Sequence, residues 1–140
     1  VAEFLSENVK ITTFAPVATG TSTILQTTGL DMTGFDGCLF IVRLGSPATN
    51  NTLSIKQAAT VGGTYDALIG TSVGSHVSDN PLVVDVKRPI DGFLKYEVAR
   101  GTTSTIDTIC AIQYGARTRP TTQPSGTQLE KHHAPAEGAI

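Results

Sequence analysis

The sequence predicts an all-β protein: an antiparallel β-sandwich or barrel, jelly-roll-like, of about eight short strands, followed by an extended C-terminal arm. Three observations predict it. Gly, Pro, Asn and Asp punctuate the 140 residues often, and short strand-like runs lie between them. Thr is very frequent, and its stiff, β-branched side chain suits a pleated surface. No segment sustains an apolar period near 3.6, so little helix is expected, and strands without crossover helices pair antiparallel. The length suits one domain. It divides into an N-terminal arm at 1–8, a β-domain at 9–115 and the C-terminal arm at 116–140.

Strands are expected at residues 10–15, 22–28, 37–44, 52–58, 67–69, 82–87, 93–100 and 105–114. In CLFIVRL, Cys38, Phe40, Val42 and Leu44 share one face while Leu39, Ile41 and Arg43 share the other. Both faces are largely apolar, which predicts a strand covered on both sides. TLSIKQA alternates cleanly, with Leu53 and Ile55 inward and Ser54 and Lys56 outward. PLVVDVK places Leu82, Val84 and Val86 together, and FLKYEVAR places Leu94, Tyr96 and Val98 inward. In TIDTICAIQY, strict alternation assigns Ile106, Thr108, Cys110, Ile112 and Tyr114 to the core and Ile109 and Ala111 to the opposite face. The links RPIDG and ARGTTST carry turn residues, so 82–114 reads as a three-strand meander. Two longer polar loops, 45–51 and 69–81, are exposed ornaments or contact surfaces.

After Gly115 the character changes. Pro120, Pro124 and Pro135, with Gly126 and Gly138 between them, break any regular element. The segment buries too little apolar surface to offset its ordering entropy. By itself it is expected to be extended or flexible, and to take order from a neighbour.

Composition bounds the function. Charged residues make up 16% and the formal net charge is −2, so the broad basic field that nucleic-acid binding requires is missing. A low-charge surface rich in Thr, Ser and Gly suits contact with another protein. No apolar run approaches a membrane span. The start, VAEFLSENVKITTFAPVATG, has no basic region followed by an apolar block, so no standard signal peptide is expected. It also lacks an initiator Met, which fits either Met removal or trimming of a longer precursor. Cys38 and Cys110 read as buried, reduced thiols acting as small hydrophobes; two cysteines alone do not specify a disulfide.

Signals of catalysis are thin, and no enzyme activity, cofactor or metal is expected. His132 and His133 are adjacent, and on an extended chain they point to opposite sides. His76 stands alone in a loop. Asp31, Asp36, Asp79 and Asp91 fall where turns are expected, where Asp bonds nearby amides; Asp66, Asp85 and Asp107 complete the candidate acids. No Gly-x-Ser-x-Gly elbow occurs, and VGGTYDALIGTSVGS lacks the ending of a phosphate loop. The basic group Lys87, Arg88, Arg100, Arg117 and Arg119 flanks strand ends and opens the tail. Solvated strand ends are the plain reading; Arg is also favoured at interfaces for its bidentate contacts to carboxylates.

Four segments together, FDGCLFIVRLG, PLVVDVKRPIDGFLKYEVARGTT, ICAIQYGARTRPTTQ and HAPAEGAI, resemble a family of small structural proteins of tailed bacteriophages, the capsid cement or decoration proteins. The resemblance runs from about Thr33 to the C-terminus, and its most specific parts are VDVKRP, AIQYGARTRP and PAEG. It implies a β-rich body with extended arms, located on the outside of the virion capsid after assembly in the bacterial host cytoplasm. The implied partners are the phage major capsid protein and further copies of the chain, as a dimer or trimer, with no direct nucleic acid and no membrane. No active-site residue is carried over. The residues implied in partner binding are Arg117 and Arg119 as charge anchors, Pro120 and Pro124 as stiffeners of the arm, and Lys87 and Arg88 against the shell or a sister copy. Other classes compete: a fibre-type or lectin-like β-module that binds a carbohydrate or receptor, a small β-enzyme such as a trimeric nucleotide hydrolase, and a tail-tube or head-completion protein, against which only the family resemblance argues. The first lacks exposed aromatics, since Trp is absent and Tyr96 and Tyr114 are read as inward; the second lacks convergent carboxylates and a phosphate loop.

Overall fold

The computed structural model describes residues 4–45, 50–74, 80–101, 103–134 and 136–138. In chain order the elements are α1 (Leu5–Asn8), β1 (Lys10–Phe14), β2 (Val17–Gly20), β3 (Ile24–Leu25), β4 (Leu30–Asp31), β5 (Gly37–Leu44), β6 (Asn51–Ala58), β7 (Asp66–Ala67), β8 (Pro81–Lys87), β9 (Phe93–Arg100) and β10 (Ser104–Tyr114). They form two five-stranded antiparallel sheets. The first runs β1-β10-β5-β8, with β2 also on β10; the second runs β3-β9-β6-β7, with β4 also on β9. The expected all-β sandwich is therefore present, and it is not closed into a barrel.

Alternation builds the core. Phe40, Val42 and Leu44 from the first sheet meet Leu53, Ile55, Leu94 and Val98 from the second, all fully buried. Burying each such side chain contributes about 1.5–3 kcal/mol. Phe14 and Tyr96 add an edge-on ring contact with centroids 5.1 Å apart. Among the expected strands, 37–44 and 93–100 match in full; β2 and β4 were not foreseen, being too short to show a pattern.

Four expectations are corrected. Residues 82–114 are not a meander: β8 pairs with β5 in the first sheet, β9 with β6 in the second, and β10 returns to the first. Both links cross the sandwich, because the inward faces of β8 and β9 oppose each other rather than lying side by side. The second correction concerns β10. Ile106 pairs with Leu44 and Thr108 with Arg43, so one extra residue on β10 forms a bulge. The bulge shifts the alternation by one. Ile106 is buried as expected, but past the bulge Ile109, Ala111 and Gln113 face the core, while Cys110, Ile112 and Tyr114 lie outside, half-buried. Cys38 is buried and Cys110 is not; both thiols are free.

Third, Arg100 is buried rather than a solvated strand end. Its guanidinium donates to the carbonyls of Ser22 (2.8 Å), Ala18 (2.9 Å) and Ser104 (2.7 Å) and to Ser22 Oγ (2.9 Å), tying β2 and its following loop to the start of β10. Fourth, β5 is covered on one face only: Leu39, Ile41 and Arg43 face outward among half-exposed neighbours.

Candidate docking surface

One end of the sandwich gathers the termini of three adjacent strands. Tyr114 ends β10 opposite Gly37 at the start of β5, and Gly37 lies opposite Lys87 at the end of β8. Gly37 leaves no room for a Cβ against the Tyr114 ring, so the strands close tightly here. Asp36 is the hub. Its N–H donates to the Tyr114 carbonyl (2.9 Å), and its carbonyl accepts the Arg88 N–H (2.6 Å). Arg88 itself adopts φ 52°, uncommon for a side chain of its size. Gly115, at φ +67°, then turns the chain so that Arg117 N–H reaches the Gly34 carbonyl (2.9 Å) and its guanidinium lies 3.6 Å from the Asp36 carboxylate.

The result is an open cleft of about 410 Å³ between the β4–β5 and β8–β9 links, with Met32 and Phe35 at its base and Arg88, Arg117, Asp91 and Ile90 on its rim. Ile90 is 91% exposed. No side chain among the described residues pairs with Lys87 or Arg88. An exposed aliphatic side chain close to Arg88, which has no side-chain partner among the described residues, and to the loosely paired Arg117 is chemically suited to an apolar socket with acidic surroundings.

The tail leaves this end and folds back along its own chain. Thr121 donates through both its N–H (3.0 Å) and Oγ1 (2.9 Å) to the Glu7 carbonyl. Gln123 acts as a clamp: Oε1 accepts the Ile11 N–H (2.9 Å), and Nε2 donates to the carbonyls of Ser6 (3.0 Å) and Val9 (2.7 Å). Lys131 pairs with Glu7 (3.2 Å), and the His133 ring rests 5.0 Å from that of Phe4. The Phe4 N–H, and then Lys131, hold the Glu7 carboxyl below its ordinary range. The expectation that the tail takes its order from a neighbour is thus corrected for residues 121–133, whose contacts are with residues 4–11 of the same chain. The tail shields the outer edge of β1, an otherwise open strand edge.

Of the six sequence-derived contact residues, the structure brings Lys87, Arg88 and Arg117 to one end of the sandwich. Arg119, whose Nε donates to the Ala116 carbonyl (3.3 Å), and Pro120 lie farther along the tail; Pro120 lines a shallow cleft with Lys10 and Phe35. Pro124 lines a groove between the tail and β1, away from the other five. Asp31 and Asp107 have local roles: Asp31 accepts the Thr33 N–H (2.9 Å), which holds its carboxyl below the ordinary range, and Asp107 pairs with Arg43 (3.3 Å). His76, Asp79 and Pro135 lie outside the described residues.

No family model matches the sequence, and no curated protein sequence matches it. The fold is similar to the crystal structure of PBSX exported protein XepA, with a TM-score of 0.56 over 96% of this chain. The sequences are 15% identical, and the chain spans 46% of the length of that protein. The likeness is one of fold.

Ile90 and Asp36 were not singled out as contact residues from sequence. Ile90 could have been: an aliphatic residue inside the turn RPIDG has no core to enter, and that is a signal in itself.

Proposed function

We propose that this chain is a structural protein of a bacteriophage virion that binds the outer surface of the capsid and bridges adjacent major capsid protein subunits. It works as a homo-oligomer and stabilises the expanded shell. The observation that carries the reading is the sandwich end, where Ile90 is exposed near Lys87 and Arg88, which have no side-chain partner among the described residues, and near the weakly held Arg117. The phage association is supported by the resemblance of the four sequence segments, and the fold is like that of PBSX exported protein XepA. The action is mechanical: a protein that binds the expanded shell and not its precursor stabilises that state by mass action, and many copies add avidity. No catalytic step and no cofactor enter.

Co-sedimentation with expanded, undecorated phage capsids tests this. Stoichiometric binding is expected, and the double variant Arg88→Glu/Arg117→Glu should weaken it at least about tenfold by reversing two contacts. Failure of the wild-type chain to sediment with capsids refutes the reading in favour of a tail, head-completion or receptor-binding module.

A further inference from the structure

The outer faces of a two-sheet sandwich meet water and normally read polar. The outer face of the β1-β10-β5-β8 sheet does not. The strand register sets Ile11, Ile112 and Leu39 side by side across β1, β10 and β5. In the next row it sets Cys110, Ile41 and Val83 side by side across β10, β5 and β8. Ile11 is 40% and Val83 45% exposed, and the other four are half-buried. The β10 bulge decides which residues of that strand join the patch, since it turns Cys110 and Ile112 outward. A contiguous aliphatic surface spanning four strands is the kind that marks an interaction site.

We infer that this face is a two-fold self-association surface, covered by the same face of a second copy of the chain. Two features select that occupant. An aliphatic sheet face can pack against the same face of another copy: two copies can stack about 10 Å apart, as the inner faces of a sandwich do. The rim charges are also self-complementary. The Arg43–Asp107 pair lies at one end of the patch; towards the other, Asp85 closes the first row beside Leu39, and Lys87 lies one row beyond. A two-fold axis in the interface plane, running across the strands, sets one end over the other, each with one cation and one anion. The inference deepens the homo-oligomer in the proposed function, but its test requires no capsid, so the two readings fail separately.

Sedimentation equilibrium of the full chain at about 100 µM, where even a micromolar interface is largely occupied, measures the mass directly. The expected mass is that of two 14.6-kDa chains. Val83→Lys, at an exposed position, and Ile41→Lys should each return it to a single chain, while Ile90→Ser at the sandwich end should leave it doubled. Circular dichroism confirms that each variant is folded. An independent probe is native: Cys110 lies within the patch, while Cys38 is buried in the core and reports unfolding. Alkylation of wild-type Cys110 by iodoacetamide should accelerate at least about tenfold when dilution dissociates the pair, because the stacked face excludes the reagent. A single-chain mass with a concentration-independent Cys110 rate overturns the inference. So does a mass of three chains, or an oligomer that Val83→Lys and Ile41→Lys both leave intact.

Discussion

Replacing Gly115 by Ala should destabilise the fold for two separable reasons. Gly115 has φ +67°, a left-handed conformation that costs an L-residue about 1–2 kcal/mol. A Cβ there would also meet Asp36 Cβ at 2.7 Å. Asp36 cannot withdraw easily, because its N–H and carbonyl are both engaged, by Tyr114 and Arg88. Overpacking of this kind costs about 1–3 kcal/mol. Against both stands the reduced freedom of the unfolded chain, which favours Ala by about 0.4–1 kcal/mol. The net expectation is a loss of about 1–5 kcal/mol, from these three contributions. Gly34→Ala supplies the control. Gly34 has φ +87° but nothing within 4 Å of the added Cβ, so it carries the backbone cost without the clash. Urea unfolding of the two variants gives the comparison, with the midpoint falling at unchanged slope. If Gly115→Ala and Gly34→Ala cost the same to within about 0.5 kcal/mol, the close approach to Asp36 contributes nothing and the packing argument fails, since overpacking costs more than that.

Two further outcomes follow from the contacts of Gln123 and of Tyr114. Gln123→Ala removes three hydrogen bonds to residues 6–11, so exchange of the Ile11 amide should accelerate at least about tenfold while the Phe40 amide stays protected; unchanged Ile11 exchange would show that the tail does not clamp β1. Tyr114 titrates with its hydroxyl pushed up to about 12, first by burial and then by its 2.6 Å hydrogen bond to Asp85. Its folded value lies above the ordinary value of about 10, so the stability it contributes is complete below pH ~10 and is lost as pH rises towards ~12. Phenolate absorbance should show this late-titrating group, and Asp85→Asn should bring its midpoint down; a midpoint that Asp85→Asn leaves in place would exclude the hydrogen bond as a cause.

Much of the body was legible in sequence because side-chain alternation is a property of one strand at a time. The inward faces of β5, β6 and β9 follow directly from GCLFIVRL, NTLSIKQA and FLKYEVAR, and burial matches each of them. Of the candidate site, the types of residue were legible: Lys87, Arg88 and Arg117 stand at a strand end and a tail start, where an interface would use them.

What only the tertiary structure decided is how these local pieces combine. Alternation tells which way Leu82 and Leu94 point, but not whether their strands are neighbours in one sheet or opponents across the core. The bulge in β10 was invisible because an extra residue leaves composition untouched while reversing every side chain beyond it. That reversal moved Ile109 into the core and placed Cys110 and Ile112 on the outer face. Arg88 and Arg117 meet only because Asp36 engages both segments, and the tail takes its place because Gln123 finds backbone groups of residues 6–11 that no local pattern announces. The amino-acid order by itself determined the β-architecture and its inward residues, through interactions a few residues long; the pairing of distant segments, which depends on the free energy of the whole fold, determined the surfaces on which this protein can act.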